Sequence, residues 1–251
     1  MGNNMVSIIM PMYNAEKFIA DSIESVIRQT YTDWELIIIN DCSNDKSLDI
    51  VERYIQQDKR IKLSSLKKNS GVAQARNKGI DSSCGRYISF LDSDDIWLED
   101  KLEKQITFMQ IKNIAFSYTQ YRQFSNSVKN CGKLIDVYPK IDYQTLLKGN
   151  NIGCLSVMID KTIINEIYMP SERHEDYICW LNILKKGFCA YGLKEDLARY
   201  RVSAESLSGN KFKSMMWTWT VYRKNQNLSL IKSCYYFCHY IINGLRKHTK
   251  E

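Results

Sequence analysis

Three observations predict an α/β fold for this chain, a mostly parallel sheet flanked by helices. Strand-length apolar runs alternate with segments of helical period from residue 5 to about 112, the pattern of repeated βαβ units. One run, Trp34–Ile39, is apolar almost throughout, as in a parallel strand covered on both faces. Another, Arg86–Leu91, ends in Asp92-Ser93-Asp94-Asp95, three carboxylates within four residues. Acids clustered at a strand end sit at the rim of a sheet, where open α/β folds bind ligands.

The elements follow in order. Val6–Met10 reads as the first strand, and Ile19, Ile23, Val26 and Ile27 then share one helical face. After Trp34–Ile39 comes Asn40-Asp41-Cys42-Ser43-Asn44-Asp45, where Ser43 or Asp45 can cap a helix whose apolar face is Leu48, Val51, Tyr54 and Ile55. Ile61–Leu66 is a third strand, Ala73–Ile80 a short helix, Arg86–Leu91 a fourth strand. Leu98, Leu102, Ile106 and Met109 mark another amphipathic helix. Beyond it, Ile114–Phe124, Cys154–Ile159, Ala190–Leu193 and Leu197–Val202 read as strands. Tyr177, Trp180, Leu181 and Leu184 form one helix face. From Lys213 the pattern is helical, broken near Asn225-Gln226-Asn227.

Composition narrows the class. No stretch has the pattern of a secretory leader or the length and apolarity of a transmembrane helix. The eight cysteines are scattered without a C-x-x-C pair, which points to a reducing cytoplasm. Cys234, Cys238 and His239 come nearest to a metal cluster, but helix packing is the favoured reading. The net charge of +7 is confined to residues 211–251, which hold eight Lys and Arg against Glu251; residues 1–210 are neutral. Basic residues interleaved with Trp217, Trp219, Tyr222, Tyr235, Tyr236, Phe237 and Tyr240 suit an anionic membrane surface or a nucleic acid. A solvated helical face is the plain alternative. Neutrality over residues 1–210 argues against a continuous phosphate track.

Four segments carry chemistry. Asp41, with Pro11-Met12-Tyr13-Asn14, lies at the ends of neighbouring strands, where a carboxylate can accept from a ribose hydroxyl or a base N–H. Gly71-Val72-Ala73-Gln74-Ala75-Arg76-Asn77 combines small residues with a guanidinium able to pair with a diphosphate or to form a surface salt bridge. Asp92-Ser93-Asp94 repel each other unless a hard cation lies between them; Mg²⁺ or Mn²⁺ typically brings substrate phosphates. The plain alternative has Asp94 and Asp95 opening the next helix. Finally, Asp176 of Glu175-Asp176, near a helix N-terminus, is a candidate general base, and Trp180 one turn on is either a sugar platform or a core residue.

Together these segments resemble the family 2 glycosyltransferases of GT-A fold, from Ser7-Ile8-Ile9-Met10-Pro11-Met12-Tyr13-Asn14 to Tyr200-Arg201-Val202-Ser203. The similarity is strongest to the bacterial branch that builds O-antigens, capsules and teichuronic acid. It implies a Rossmann-like nucleotide-binding sheet and an inverting transferase using a UDP-sugar, UDP-glucose or UDP-galactose, with Mn²⁺ or Mg²⁺. By the same resemblance Asp41 contacts the uracil, Arg76 lies near the nucleotide, Asp92 faces the ribose, Asp94 holds the metal and Asp176 is the catalytic base. Pro11, Tyr13, Asn14, Ser93 and Lys211 complete the nucleotide-sugar surface, and Glu175 and Trp180 face the acceptor. Asn40 stands where the family often has an acid. Ser203 stands where many members have a histidine, which leaves a third protein ligand open. The Gln-x-x-Arg-Trp motif of processive synthases is absent, so one sugar is added per encounter.

The expected organisation is a nucleotide-sugar-binding half (1–112), an acceptor and catalytic-base half of the same domain (113–210) and a basic aromatic helical tail (211–251). Residues 203–210, polar and glycine-containing, are expected to form a lid. The acceptor implied is a lipid-diphosphate-linked saccharide, with the enzyme peripheral on the inner face of the plasma membrane and no nucleic acid partner. Two other classes compete. A nucleotidyltransferase would carry a glycine-rich loop after strand one, where Met12-Tyr13-Asn14-Ala15-Glu16 has none. A non-catalytic nucleic-acid module would use the tail.

Overall fold

The structure, a computed structural model, describes residues 4–125, 131–202 and 211–248, the side chains of 211–212 and 245–248 excepted. The first part runs β1 (Val6–Met12), α1 (Ile19–Ile27), β2 (Trp34–Asn40), α2 (Ser47–Gln57), β3 (Ile61–Ser65), α3 (Val72–Ser82), β4 (Tyr87–Phe90). Then come β5 (Ile96–Trp97), α4 (Lys101–Lys112), β6 (Phe116–Phe124), β7 (Cys131–Ile135), β8 (Lys140–Ile141), α5 (Tyr143–Leu147), β9 (Met158–Asp160), α6 (Glu175–Lys185) and β10 (Ala190–Arg201). The tail is α7 (Lys211–Thr220), a π turn (Val221–Asn225) and α8 (Leu230–His248).

The described strands form one sheet of order β3-β2-β1-β4-β9-β6-β10-β5, with β7 beside β6 and β8 beside β10. The predicted parallel sheet is the β3-β2-β1-β4 half. Beyond it, β9 runs antiparallel to both β4 and β6, and β10 runs parallel to β6. Every residue of β1 and β2 is buried. Their polar members are satisfied: the Ser7 hydroxyl donates to Glu35 Oε1 at 2.6 Å, and Lys62 and the Cys84 N–H also donate to that carboxylate. A buried acid is tolerated in a central strand when its oxygens are taken in this way.

Each face of the sheet carries its own core. On one, Val6, Ile8 and Met10 meet Ile19, Ile23 and Val26 of α1, Val51 of α2 and Leu102, Ile106 and Met109 of α4. On the other, Ile9, Ile88 and Phe90 meet α3, α5, α6 and the tail. α3 approaches β1 so closely that a Cβ on Gly79 would lie 2.5 Å from Ile9 Cγ2. That contact sets the height of Arg76, one turn earlier, above the strand ends.

Several expectations need correction. Ile27 is exposed rather than buried with its face. Cys154–Ser156 is a 3₁₀ turn ahead of β9, and the two short final strands are one bulged β10, shifted in register between Leu193 and Ala198. β5, β7, β8 and α5 are too short for periodicity to reveal. Asp94 and Asp95 do not open a helix, since α4 begins only at Lys101. Trp180 is no sugar platform: it is fully buried, its ring 5.8 Å from Phe90 and 5.3 Å from Phe116. Cys234 and Cys238 face outward rather than into helix packing, and no metal-holding cluster exists among the described residues. Of the tail aromatics, three are tied to the core. Tyr222 is buried and donates to the Leu147 carbonyl, and Tyr236 and Phe237 pack on the core. The break between the tail helices is where it was expected.

Trp180→Ala should therefore lower the unfolding free energy by about 3–5 kcal/mol, the usual cost of an emptied aromatic site. Urea denaturation followed by circular dichroism measures it.

Candidate active site

The site lies where β1, β2 and β4 end, and its loops are tied together before any ligand arrives. After β1, Asn14 adopts a left-handed conformation (φ 49°) and its side chain accepts from the Asn44 N–H. The Asn14 and Ala15 N–H groups donate to the hydroxyls of Ser43 and Ser47. Asp45 accepts from the N–H groups of Glu16 and Ser47, so it secures the start of α2 as a cap would. Pro11 is buried within β1, while Tyr13 projects half-exposed from the loop.

Asp41 is buried at the end of β2. Its two oxygens accept from the N–H groups of Ser70 and Gly71, each at 2.7 Å. Gly71 sits at φ 87°, a conformation that penalises any side chain, and its carbonyl accepts the first bonds of α3. Asp41 thus fixes where α3 starts, with the second lone pair of each oxygen left over.

α3 is the clamp of the site. Arg76 is buried, its side chain 5% exposed; Nη2 donates to Asp92 Oδ1 at 2.6 Å and Nη1 to Glu175 Oε1 at 2.8 Å. Burial alone would lower its pKa, but the charges of Asp92 and Glu175 raise it well above the ordinary value. The guanidinium expected near the nucleotide is thus occupied by two carboxylates. Asn77 exchanges two hydrogen bonds with the Met169 backbone, and Gln74 meets Ser171. Three side chains of one helix thereby hold residues 169–175, the segment leading into α6.

α6 begins after His174, itself left-handed at φ 62°. Asp176 accepts the Tyr177 N–H at 2.7 Å. Burial first, then the neighbouring Glu175 charge, push the Asp176 carboxyl up to about 6, although Arg76 and the Tyr177 N–H pull it down. A carboxylate poised there is ionised at neutral pH and still basic enough to take a proton. Glu175, expected at the acceptor, is instead the partner of Arg76.

Asp92, Ser93 and Asp94 are partly exposed in the turn after β4. Burial, then the Asp92 charge, push Asp94 up to about 6. Asp95 is buried: Oδ1 accepts the Arg201 N–H at 2.8 Å, while Oδ2 has no partner. Burial and then Asp92 and Asp94 raise its pKa well above the ordinary value. Arg201 also donates from Nε to the Asp94 carbonyl at 2.7 Å, closing the turn against β10. These acids outnumber the cations that touch them, a donor set suited to a hard divalent cation. Among the described residues, however, no three His, Cys, Asp or Glu side chains are placed to hold an ion alone. Further oxygens would have to come from a substrate.

The sequence assigned no site role to Asn77, Asp95, Cys154 or Tyr121. The Cys154 thiol is buried beside Arg76, and Tyr121 is enclosed near Tyr200, Asp95 and Asp176. Asp95 carried a signal in its adjacency to the other acids, and Asn77 in the segment that holds Arg76. Ser203 and the proposed lid at 203–210 lie outside the described residues; Lys211 opens α7, its side chain also outside them.

The glycosyl transferase family 2 model matches residues 7–163. The chain is 44% identical, over 97% of each sequence, to the teichuronic acid biosynthesis glycosyltransferase TuaG of Bacillus subtilis strain 168. It is 42% identical to the Escherichia coli protein WfgD, named a UDP-Glc:α-D-GlcNAc-diphosphoundecaprenol β-1,3-glucosyltransferase, covering 99% of this chain and 97% of that one. In three dimensions it superposes on S. aureus TarS, solved in complex with UDP, with a TM-score of 0.69 at 20% identity over 94% of this chain and 70% of TarS. The chain belongs to glycosyl transferase family 2 and has the GT-A fold.

Two outcomes follow from the geometry. Arg76→Lys keeps the charge but cannot hold two carboxylates in fixed planes, so kcat/KM should fall on the order of 10²-fold, as for an ångström-scale misplacement. Steady-state kinetics checks it. With its pKa raised, folded Asp176 binds protons more tightly than in the unfolded chain between about pH 4 and 6. Its ionisation therefore costs stability that is fully lost above about pH 6. Asp176→Asn should raise the melting temperature relative to wild type at pH 7.5, and less so at pH 4.5.

Proposed function

We propose that this glycosyltransferase moves a single hexose from a UDP-sugar to a hydroxyl of a lipid-diphosphate-linked saccharide, in the synthesis of a bacterial surface polysaccharide. UDP-glucose is the favoured donor. The observation that carries the reading is the Arg76 bridge, which joins the Asp92-Ser93-Asp94 turn to the Glu175-Asp176 helix start in one charged unit. The names of two relatives support the substrates: WfgD and a second Escherichia coli protein, WfaP, are both named for glucose transfer from UDP-Glc to GlcNAc-diphosphoundecaprenol. Family membership sets aside the nucleotidyltransferase and the nucleic-acid module.

The chemistry proposed is a single displacement with inversion. Asp176, ionised above about pH 6, takes the proton of the acceptor hydroxyl as the oxygen attacks the anomeric carbon. The bond to the diphosphate breaks on the opposite side, so an α-linked donor gives a β-linked product. Asp41 and the Tyr13-Asn14 loop receive the uridine, and Asp92 meets the ribose. Arg76 acts as a positioning residue: its charge stabilises the ionised acids, and its two hydrogen bonds hold Asp92 and Glu175 in register. A divalent cation, Mn²⁺ or Mg²⁺, would be held by Asp94 and would neutralise charge on the departing diphosphate. The expected site of action is the cytoplasmic face of the membrane; no helix among the described residues is long and apolar enough to cross one.

A donor screen tests this reading. Purified protein with Mn²⁺ is incubated with UDP-glucose, UDP-galactose, their N-acetyl forms, UDP-glucuronate and GDP-mannose, with nucleotide release recorded with and without a GlcNAc-diphospho-lipid. UDP release from UDP-glucose, dependent on acceptor and metal, is expected. Asp176→Ala should lower kcat on the order of 10²–10⁴-fold, the usual contribution of a general base, and Asp94→Ala should abolish the metal dependence. Turnover retained in Asp176→Ala would remove the base assignment.

A further inference from the structure

The tail carries a face that nothing among the described residues covers. In α8 the residues Leu230, Ile231, Cys234, Tyr235, Cys238 and Ile242 are all exposed, Ile231 by 83%. At 3.6 residues per turn, the five from Ile231 to Ile242 fall within about 100° of one another. The opposite side is bound to the protein: Ser233 is buried, Tyr236 and Phe237 pack on the core, and Asn243 donates to the Lys148 carbonyl at 3.1 Å. Of the aromatic residues that mark the tail in the sequence, Tyr222, Tyr236 and Phe237 are therefore anchors to the fold. The outward stripe is a different, largely aliphatic set that includes only Tyr235 of the tail aromatics.

Charge identifies the occupant. Residues 211–251 hold eight Lys and Arg and one acid. Lys232 lies exposed beside the stripe, and Arg223 and Lys224 are exposed just before α8. A second copy docking through this face would bring two such clusters together, which like-charge repulsion opposes. An anionic bilayer complements both the apolar stripe and the positive charge. The described helix is about 28 Å long and does not qualify as a span, so it would lie in the interface plane with its stripe toward the acyl chains.

We propose that α8 is an in-plane membrane-docking helix, seated on anionic lipid through Ile231, Tyr235, Cys238 and Ile242 and held by the basic residues of the tail. This deepens the reading of a lipid-linked acceptor: docking through α8 would keep the fixed core of the enzyme at the surface where such an acceptor resides. Because α8 also covers the core, deleting it would unfold its neighbours; outward-facing substitutions are the cleaner probe.

The test is sedimentation with vesicles of phosphatidylcholine containing 30% phosphatidylglycerol, using wild type and the double variant Ile231→Glu/Ile242→Glu, both exposed positions. Wild type should bind, weaken at high salt and bind poorly to pure phosphatidylcholine. The double variant should lose at least tenfold in vesicle partitioning while keeping the wild-type circular dichroism, melting temperature and UDP-sugar hydrolysis. Equal vesicle binding by the variant would overturn the assignment. So would a wild-type dimer, seen by light scattering, that the variant converts to monomer without vesicle binding. Transfer to a short-chain, water-dispersible GlcNAc-diphospho-lipid is run alongside. Its absence in both proteins, with the wild type bound to vesicles and the variant not, removes the acceptor reading and leaves the docking face standing.

Discussion

One buried guanidinium holds the two halves of the site together. Arg76 is enclosed by protein, a place where a cation is stable only if anions meet it, and Asp92 and Glu175 do so at 2.6 and 2.8 Å. The geometry around it follows. Asp41 and Gly71 set where α3 begins, and Gly79 lets the helix lie against Ile9, which brings Arg76 over the end of β4. Gln74 and Asn77 on the same helix then secure residues 169–171, so that α6 starts with Glu175 against the guanidinium and Asp176 beside it. Planar, forked donors suit this task; a point-charge ammonium would not fix two carboxylates at once.

The acids are in surplus, and the surplus is what prepares the site. Asp94 and Asp176 are both pushed up to about 6 by burial and by neighbouring carboxylates. One consequence is an Asp176 carboxylate still ionised near neutrality yet basic enough to accept a proton, as the proposed general base requires. The other is a turn that gains from any cation arriving with the substrate. Asp95 stays out of this chemistry through one oxygen, which takes the Arg201 N–H and pins the acidic turn to β10. The site thus trades stability for readiness, as functional sites commonly do.

Much of this was legible in the sequence, for physical reasons. The four parallel strands and their helices are long enough to show period, and the strand-end acids stand out because so many carboxylates rarely follow an apolar run. Asp92, Asp94, Arg76, Glu175 and Asp176 are indeed gathered in one charged unit. The pairing of Arg76 with Glu175 spans 99 residues, and no local pattern encodes which acid an arginine will meet. Trp180 could not be separated from a surface aromatic, because one helical turn from Asp176 is compatible with either side of α6. The same ambiguity hid the tail: aromatic and basic residues mixed in a helix read alike whether the rings face lipid or core. Strands of two or three residues, such as β5, β8 and β9, exist only through their partners in the sheet.

Glu175, Arg76 and Asp176 form one electrostatic unit, and in the proposed mechanism that unit sets the strength of the base. The most direct measurement is the pH dependence of kcat/KM in Glu175→Gln beside wild type, with saturating metal. Wild type should show an acidic limb near pH 6. Removing the Glu175 charge takes away a repulsion that raises the Asp176 pKa and frees Arg76 to lower it further, so the limb should move to lower pH. A limb that stays in place, or moves to higher pH, would contradict the account.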